Sequence, residues 1–211
     1  MLTLALPTGR SQQECLDLLK RCRIVPKDIR AEQRELEIVT EGMRIILVKP
    51  QDVPTMVHMG FAQLGLAGYD VILESCARVV DVLDTGLSRC DMVLAGPPCA
   101  RELLITPHPP FQLKVATKYV NTAEKVLPER GMKALTVPMH GSVEIAPALG
   151  IADIIMDIVQ TGSTLRANGL VVLEHLFPVS IHLIGHPGAL ETRWDEISRI
   201  AKAIREGGKS P

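Results

Sequence analysis

Apolar residues along the chain fall into two alternating rhythms, short unbroken runs and helical spacing. Leu2–Leu6 is an apolar run stopped by Pro7-Thr8-Gly9 and reads as a first strand. Ser11-x-x-Glu14 then has the form of a capping box, and Cys15, Leu18, Leu19 and Cys22 fall on one helical face. Arg44–Val48 gives a second strand. Asp52 is placed to cap a short helix with Val53, Met56 and Val57 turned inward and Gly60 closing it. Leu64–Ala67 and Cys90–Ala95 follow as buried strands.

A break comes next. Gly96-Pro97-Pro98 and Thr106-Pro-His-Pro-Pro110 suit neither a helix interior nor a central strand, which predicts a linker or an edge. Strands then resume near Leu113–Ala116, Ala134–Val137 and Ile154–Val159, and 171–184 returns as extended chain through Pro178. The last segment is a helix with Trp194, Ile197, Ala201 and Ile204 on one face. This alternation predicts an α/β fold of two lobes joined by a double crossover. One lobe is discontinuous, 1–95 with 176–211, and the other is 96–175.

Composition narrows the class. The chain has 211 residues, 46% of them hydrophobic, so it can bury a sizeable core; aromatics are 3%, so that core is aliphatic. A formal net charge of −1 with no basic block argues against nucleic acid as a partner. No apolar run is long enough to span a bilayer, and the opening residues lack the basic lead of a secretory signal. Five cysteines with no C-x-x-C pair suit reduced thiols in the cytoplasm, and the histidines are not spaced as metal ligands.

The most informative stretch is Asp157-Ile-Val-Gln-Thr161-Gly162-Ser163-Thr164-Leu165-Arg166-Ala-Asn168-Gly169. An apolar strand runs into a turn of small residues that opens a short helix. Unpaired N–H groups and the positive end of the helix dipole would meet an anion there. Gly162 clears the approach, while Thr161, Ser163 and Thr164 add hydroxyls. Asp157 upstream is placed to accept hydrogen bonds from ribose hydroxyls. The plainer reading of these residues is a strand–turn–helix with a threonine cap. Asn168-Gly169 reads as the helix stop. Elsewhere, Gly9-Arg10 after the first strand places a guanidinium where it could clamp phosphate, and Asp70 and Glu74 either contact a nucleotide or cap a helix.

T-G-S-T-L-R-A-N-G-L, preceded by Gly150-Ile-Ala-Asp153-Ile-Ile-Met-Asp157, resembles the signature of the ATP phosphoribosyltransferases, the first enzymes of histidine biosynthesis. Further matching blocks are Gly9-Arg10, Asp52-Val-Pro-Thr55, Leu64-Gly-Leu-Ala-Gly68, Asp70-Val-Ile-Leu-Glu74, Ala116-Thr-Lys-Tyr119 and Gly141-Ser-Val-Glu144-Ile-Ala-Pro147. They run in family order over nearly the whole chain. The length resembles the family's short form, without a C-terminal regulatory domain.

The resemblance implies a two-lobed fold similar to type II periplasmic binding proteins. It implies transfer of a phosphoribosyl group from phosphoribosyl pyrophosphate to N1 of ATP, with Mg²⁺ carried by the pyrophosphate rather than by a dedicated protein site. It also implies a homodimer or larger assembly with a regulatory subunit similar to histidyl-tRNA synthetase. The residues carried over are Arg10 and Arg34 for catalysis. Glu144, Asp153, Asp157, Thr161, Gly162, Ser163, Thr164 and Leu165 are carried over for phosphoribosyl pyrophosphate, and Arg10, Lys49, Gly68, Asp70 and Glu74 for the nucleotide.

The chain departs from the family pattern at Thr8 and Tyr69, where lysines are usual, at Lys49 and His182, where arginine is common, and at Gln63, where aspartate is expected. The lost lysines point to an alternative, a catalytically impaired or non-catalytic ligand-binding homologue on the same scaffold. A different phosphoribosyltransferase fold shares a similar acidic–T-G-x-T turn, but the crossover pattern speaks against it.

Overall fold

The structure, a computed structural model, describes residues 1–29, 36–105 and 112–207. In chain order the elements begin with β1 (Leu2–Pro7), α1 (Arg10–Arg21), β2 (Glu37–Val39), β3 (Met43–Val48), α2 (Val53–His58), β4 (Leu64–Gly68) and α3 (Tyr69–Ser75). Then come β5 (Val80–Gly96), α4 (Arg101–Ile105), β6 (Leu113–Thr117), α5 (Val120–Glu129), β7 (Ala134–Pro138), β8 (Ile154–Val159) and α6 (Ser163–Ala167). The chain ends in β9 (Val171–Gly185), α7 (Pro187–Thr192) and α8 (Trp194–Gly207). It divides into two units, Met1–Arg89 with Ser180–Pro211, and Cys90–Val179. The divisions fall inside β5 and β9, so these two long strands each carry the chain from one unit to the other.

In the first unit, β1 lies between β3 and β4 and runs parallel to both. All six of its residues are buried, as the unbroken apolar run requires of a strand covered on both faces. One face is covered by Cys15, Leu16, Leu18 and Leu19 of α1 with Ile197, Ala201 and Ile204 of α8. On the other, Ala5 and Ala67 pack with Val53 and Val57 of α2. β2 pairs antiparallel with β3, and β9 antiparallel with β4. In the second unit, β6 lies between β7 and β8, parallel to both, and β5 runs antiparallel to β8. Its core gathers Val93, Ala116, Val143, Ile155, Leu165 and Leu170.

Four local expectations change. No capping box forms: α1 starts at Arg10, with Gly9 at φ 85 and ψ −141 as its N-cap. That conformation belongs to glycine, and it places Ser11 inside the first turn, where its side chain has no cap to make. Glu14 instead accepts a hydrogen bond from the Ser88 hydroxyl. Asp52 precedes α2 as expected, but its side chain makes no capping hydrogen bond. Trp194 opens α8 and is exposed, because the first residue of the helix precedes the buried Ile197, Ala201 and Ile204 stripe. Finally, the strand read from Arg44 is the third in the chain, because the short β2 precedes it.

Candidate functional site

Parallel strands end on a common edge, and in open α/β sheets that carboxyl edge is where ligands bind. In the second unit it is formed by the ends of β6, β7 and β8. β8 leads into Thr161 and Gly162, and Gly162 takes φ 68, the left-handed conformation that turns the chain into α6. Thr161 is not the helix cap: that position is Gly162, and no side-chain capping bond is made. The Thr161 and Ser163 hydroxyl oxygens instead lie 3.1 Å apart and exposed, and the Ser163 N–H points at Thr161 Oγ1 from 3.4 Å. Arg166 folds back so that Nη1 donates to the Thr161 carbonyl at 3.0 Å. Leu165 is buried with Val93, Ala116 and Ile155, which anchors the turn, so only its backbone can face a ligand. Gly169, at φ 70, ends the helix as read from the sequence.

Asp157 stands within β8, its side chain only 17% exposed, with the Lys118 ammonium 3.4 Å from Oδ1. The Ile158 N–H donates to the same oxygen at 2.8 Å. Burial raises the Asp157 pKa and Glu144 adds to that rise, while Lys118 and the Ile158 N–H oppose it; the net direction is upward. Glu144 occupies a 3₁₀ turn, Val143–Ile145, and Ser142 precedes it in a left-handed conformation. The structure thus brings Glu144 and Asp157 to the edge that carries the Thr161–Thr164 turn.

Asp153 is not brought there. It precedes β8, where Oδ2 accepts the Lys114 N–H at 2.8 Å and its own N–H donates to the Lys114 carbonyl. Four residues of strand, about 13 Å, separate it from Asp157. Its side chain ties the amino ends of β6 and β8.

In the first unit the carboxyl edge of β1, β3 and β4 carries Arg10, Lys49, Gly68 and Asp70. Arg10 and Lys49 are exposed. The Thr8 N–H donates to the Val48 carbonyl at 2.8 Å, which ties the β1 and β3 exits together. A Cβ on Gly68 would collide with the Asp70 carboxylate, so the glycine is needed for Asp70 to fold over the start of α3. Asp70 is buried in that first turn, where the helix dipole favours it, and Glu74 lies one turn further on. Arg34 lies outside the described residues, as does the Thr106–Pro110 segment.

Sequence reasoning left two features out of the site. Lys118, although inside the Ala116–Tyr119 block, drew no attention because a lone lysine after a strand has no signature. The other is a stack between Tyr69 and His182, with ring centroids 4.9 Å apart. His182 Nδ1 donates to Asp81 at 2.9 Å and Nε2 lies 3.8 Å from Asp84. The antiparallel register sets Ala67 opposite His182, which brings the two rings together across β4 and β9. Gln63, by contrast, is away from this edge. Its side-chain oxygen accepts the Thr3 N–H at 2.9 Å, at the amino end of the strands.

The profile of the ATP phosphoribosyltransferases matches residues 49–206. The chain belongs to the ATP phosphoribosyltransferase family. An ATP phosphoribosyltransferase of Caldanaerobacter subterraneus subsp. tengcongensis is 39% identical over 209 residues, 98% of this chain and 97% of that protein. One from Geobacillus kaustophilus is 41% identical over 206 residues, covering 97% of each. Among solved structures, a chain of the ATP phosphoribosyl transferase (HisG:HisZ) complex from Thermotoga maritima is 29% identical with a TM-score of 0.81, covering 99% of both chains. The periplasmic aliphatic sulphonate binding protein SsuA of Escherichia coli shares the fold at 13% identity, with a TM-score of 0.55 over 98% of this chain and 68% of that one. The ATP phosphoribosyltransferase fold here is therefore the two-lobed α/β type of periplasmic binding proteins, and the chain is a phosphoribosyltransferase.

Proposed function

We propose that the chain catalyses the first step of histidine biosynthesis in the cytoplasm, joining N1 of the ATP adenine to C1 of the ribose in phosphoribosyl pyrophosphate. The C1–O bond to pyrophosphate breaks as the C1–N bond forms, and the products are pyrophosphate and phosphoribosyl-ATP. The observation that carries this reading is the Thr161–Thr164 turn with Asp157 and Glu144 beside it, in a chain of this family.

The 5-phosphate of the donor takes the exposed hydroxyls of Thr161, Ser163 and Thr164 and the backbone of Gly162 and Leu165. Asp157 and Glu144 accept hydrogen bonds from the ribose hydroxyls. On the first unit, Arg10 and Lys49 bind phosphate oxygens, with Gly68, Asp70 and Glu74 at the nucleotide. Arg10 and Arg34 stabilise charge on the departing pyrophosphate. No protein nucleophile is required, since adenine N1 supplies the electron pair.

Among the described residues no three His, Cys, Asp or Glu side chains converge as a ligand cluster. Mg²⁺ would be held through the oxygens of the pyrophosphate, where it would supply charge neutralisation of the leaving group. The assembly proposed is a homodimer or larger complex with a regulatory subunit similar to histidyl-tRNA synthetase, in line with the HisG:HisZ complex of the Thermotoga maritima relative.

The test is formation of phosphoribosyl-ATP from ATP and phosphoribosyl pyrophosphate with Mg²⁺, with and without such a subunit. Turnover is expected. Donor binding without turnover under both conditions would assign the chain instead to a non-catalytic homologue.

A further inference from the structure

The functional reading gives Lys118 no role, yet its placement is specific. It follows β6 on the carboxyl edge of the second unit, and its side chain is 41% exposed. The ammonium lies 4.9 Å from the Tyr119 ring centroid as well as 3.4 Å from Asp157 Oδ1. Tyr119 is buried, so the ring is a fixed platform that restricts where the lysine can go. Asp157 is on the neighbouring parallel strand, with the Met156↔Thr117 register pairing just before the two side chains.

An enclosed carboxylate with a second carboxylate nearby tends to take up a proton, and a protonated acid is a poorer acceptor for two ribose hydroxyls. The groups that act on Asp157 are Lys118, after β6, and Glu144, in the 3₁₀ turn after β7. Among the described residues, Lys118 is the cation acting on it.

We infer that Lys118 is a positioning residue for the donor, holding the Asp157 carboxylate charged and aimed at the ribose hydroxyls. The inference rests on the donor-binding reading above. Arginine in its place keeps the charge, while glutamine keeps much of the length and loses the charge.

The experiment measures the Kd of phosphoribosyl pyrophosphate by calorimetry, from about pH 5 to about pH 8, for the full chain and its K118Q and K118R variants. Comparing variants at equal pH cancels the ligand's own ionisation. In parallel, carbon-detected NMR follows the Asp157 carboxyl titration without ligand. K118Q should bind about fivefold more weakly near neutrality, in keeping with a pair whose cation is partly exposed. Its loss of affinity on the acid side should begin at higher pH, with the Asp157 titration moved the same way, and K118R should restore both.

An Asp157 titration that does not move in K118Q overturns the inference. So does a loss of affinity equal at every pH, which would report a phosphate contact or damage to the fold. Failure of the unmodified chain to bind the donor at any pH overturns the donor reading itself, and the inference with it.

Discussion

The Tyr69 ring lies against the His182 imidazole, centroids 4.9 Å apart and planes inclined by 24°. Both residues stand where the family resemblance leads one to expect a cation, and the structure shows that these two departures are a single one. His182 is fixed from behind by Asp81, and Tyr69 opens α3 beside Asp70 on the carboxyl edge of the first unit. A stacked pair of this kind contributes about 1 kcal/mol beyond area burial. In a double-mutant cycle on thermal unfolding, Tyr69→Ala and His182→Ala should therefore couple by about that amount. Each single change should raise the KM for ATP and leave that for the donor unchanged. Additive effects, or a donor KM that moves with them, would show that the rings act separately or elsewhere.

Gly162 offers the most direct probe of the turn. Any side chain there takes a left-handed conformation that costs about 1–2 kcal/mol, and its Cβ would meet the Arg166 guanidinium at 3.2 Å. Gly162→Ala should keep the fold with a modestly lower Tm. Gly162→Asp should also abolish measurable donor binding, since it sets a carboxylate where the donor phosphate is proposed to sit. Calorimetry with phosphoribosyl pyrophosphate reads the difference.

Leu165 has a structural task within the same motif. Its burial with Val93, Ala116 and Ile155 predicts that Leu165→Ala destabilises the protein by about 2–4 kcal/mol. Chemical denaturation should show a lower midpoint with an unchanged slope. A neutral substitution would mean that the turn does not depend on this anchor.

Asp157 should set activity against stability. Its pKa is raised in the folded chain, first by burial and then by Glu144. The folded state therefore holds its proton to higher pH than the unfolded state, so this group's contribution to stability falls as pH rises through that window. Asp157→Asn should raise the Tm at neutral pH, with the gain fading below the ordinary carboxylate range, and it should lose donor binding. Thermal melts at several pH values check the sign.

The thiols divide by burial. Cys76 and Cys99 are exposed, whereas Cys15 is buried on the inner face of α1 and its pKa is pushed up to about 12, by burial first and then by Glu14. Iodoacetamide at neutral pH should modify Cys76 and Cys99 and leave Cys15 untouched until the chain unfolds. Mass spectrometry of peptides gives the order.

Strands were legible wherever an apolar run met a stop: Leu2 to Pro7, Leu64 to Gly68 and Ile154 to Val159 all follow their pattern. The Thr161–Gly169 turn was legible because its parts are local, with glycine, hydroxyls and the helix start adjacent in sequence. What pattern alone missed depends on register. Nothing in the order of residues says that Tyr69 faces His182, more than a hundred positions away, until β4 and β9 pair antiparallel. Lys118 and Asp157 meet for the same reason, across two parallel strands. Asp153 is carried over with Asp157 by the family resemblance, whereas β8 sets the two about 13 Å apart, with Asp153 bonded to Lys114 at the amino end. Gly9 displaced the expected cap because its backbone conformation, not a side chain, starts the helix.

The route of the chain through β5 and β9 sets an order of events during synthesis. Residues 90–179 emerge from the ribosome as one continuous piece, with every strand of their own unit present. The earlier unit must wait: Leu2, Leu4 and Leu6 are covered by Ile181 and Leu183 of β9 and by Ile197, Ala201 and Ile204 of α8, which are made last. The nascent chain thus carries its first strand half-clothed until translation is almost over. A chain stalled before α8 presents an apolar β1–α1 surface to chaperones and proteases, while the Thr161–Thr164 turn already has the packing neighbours of its own unit.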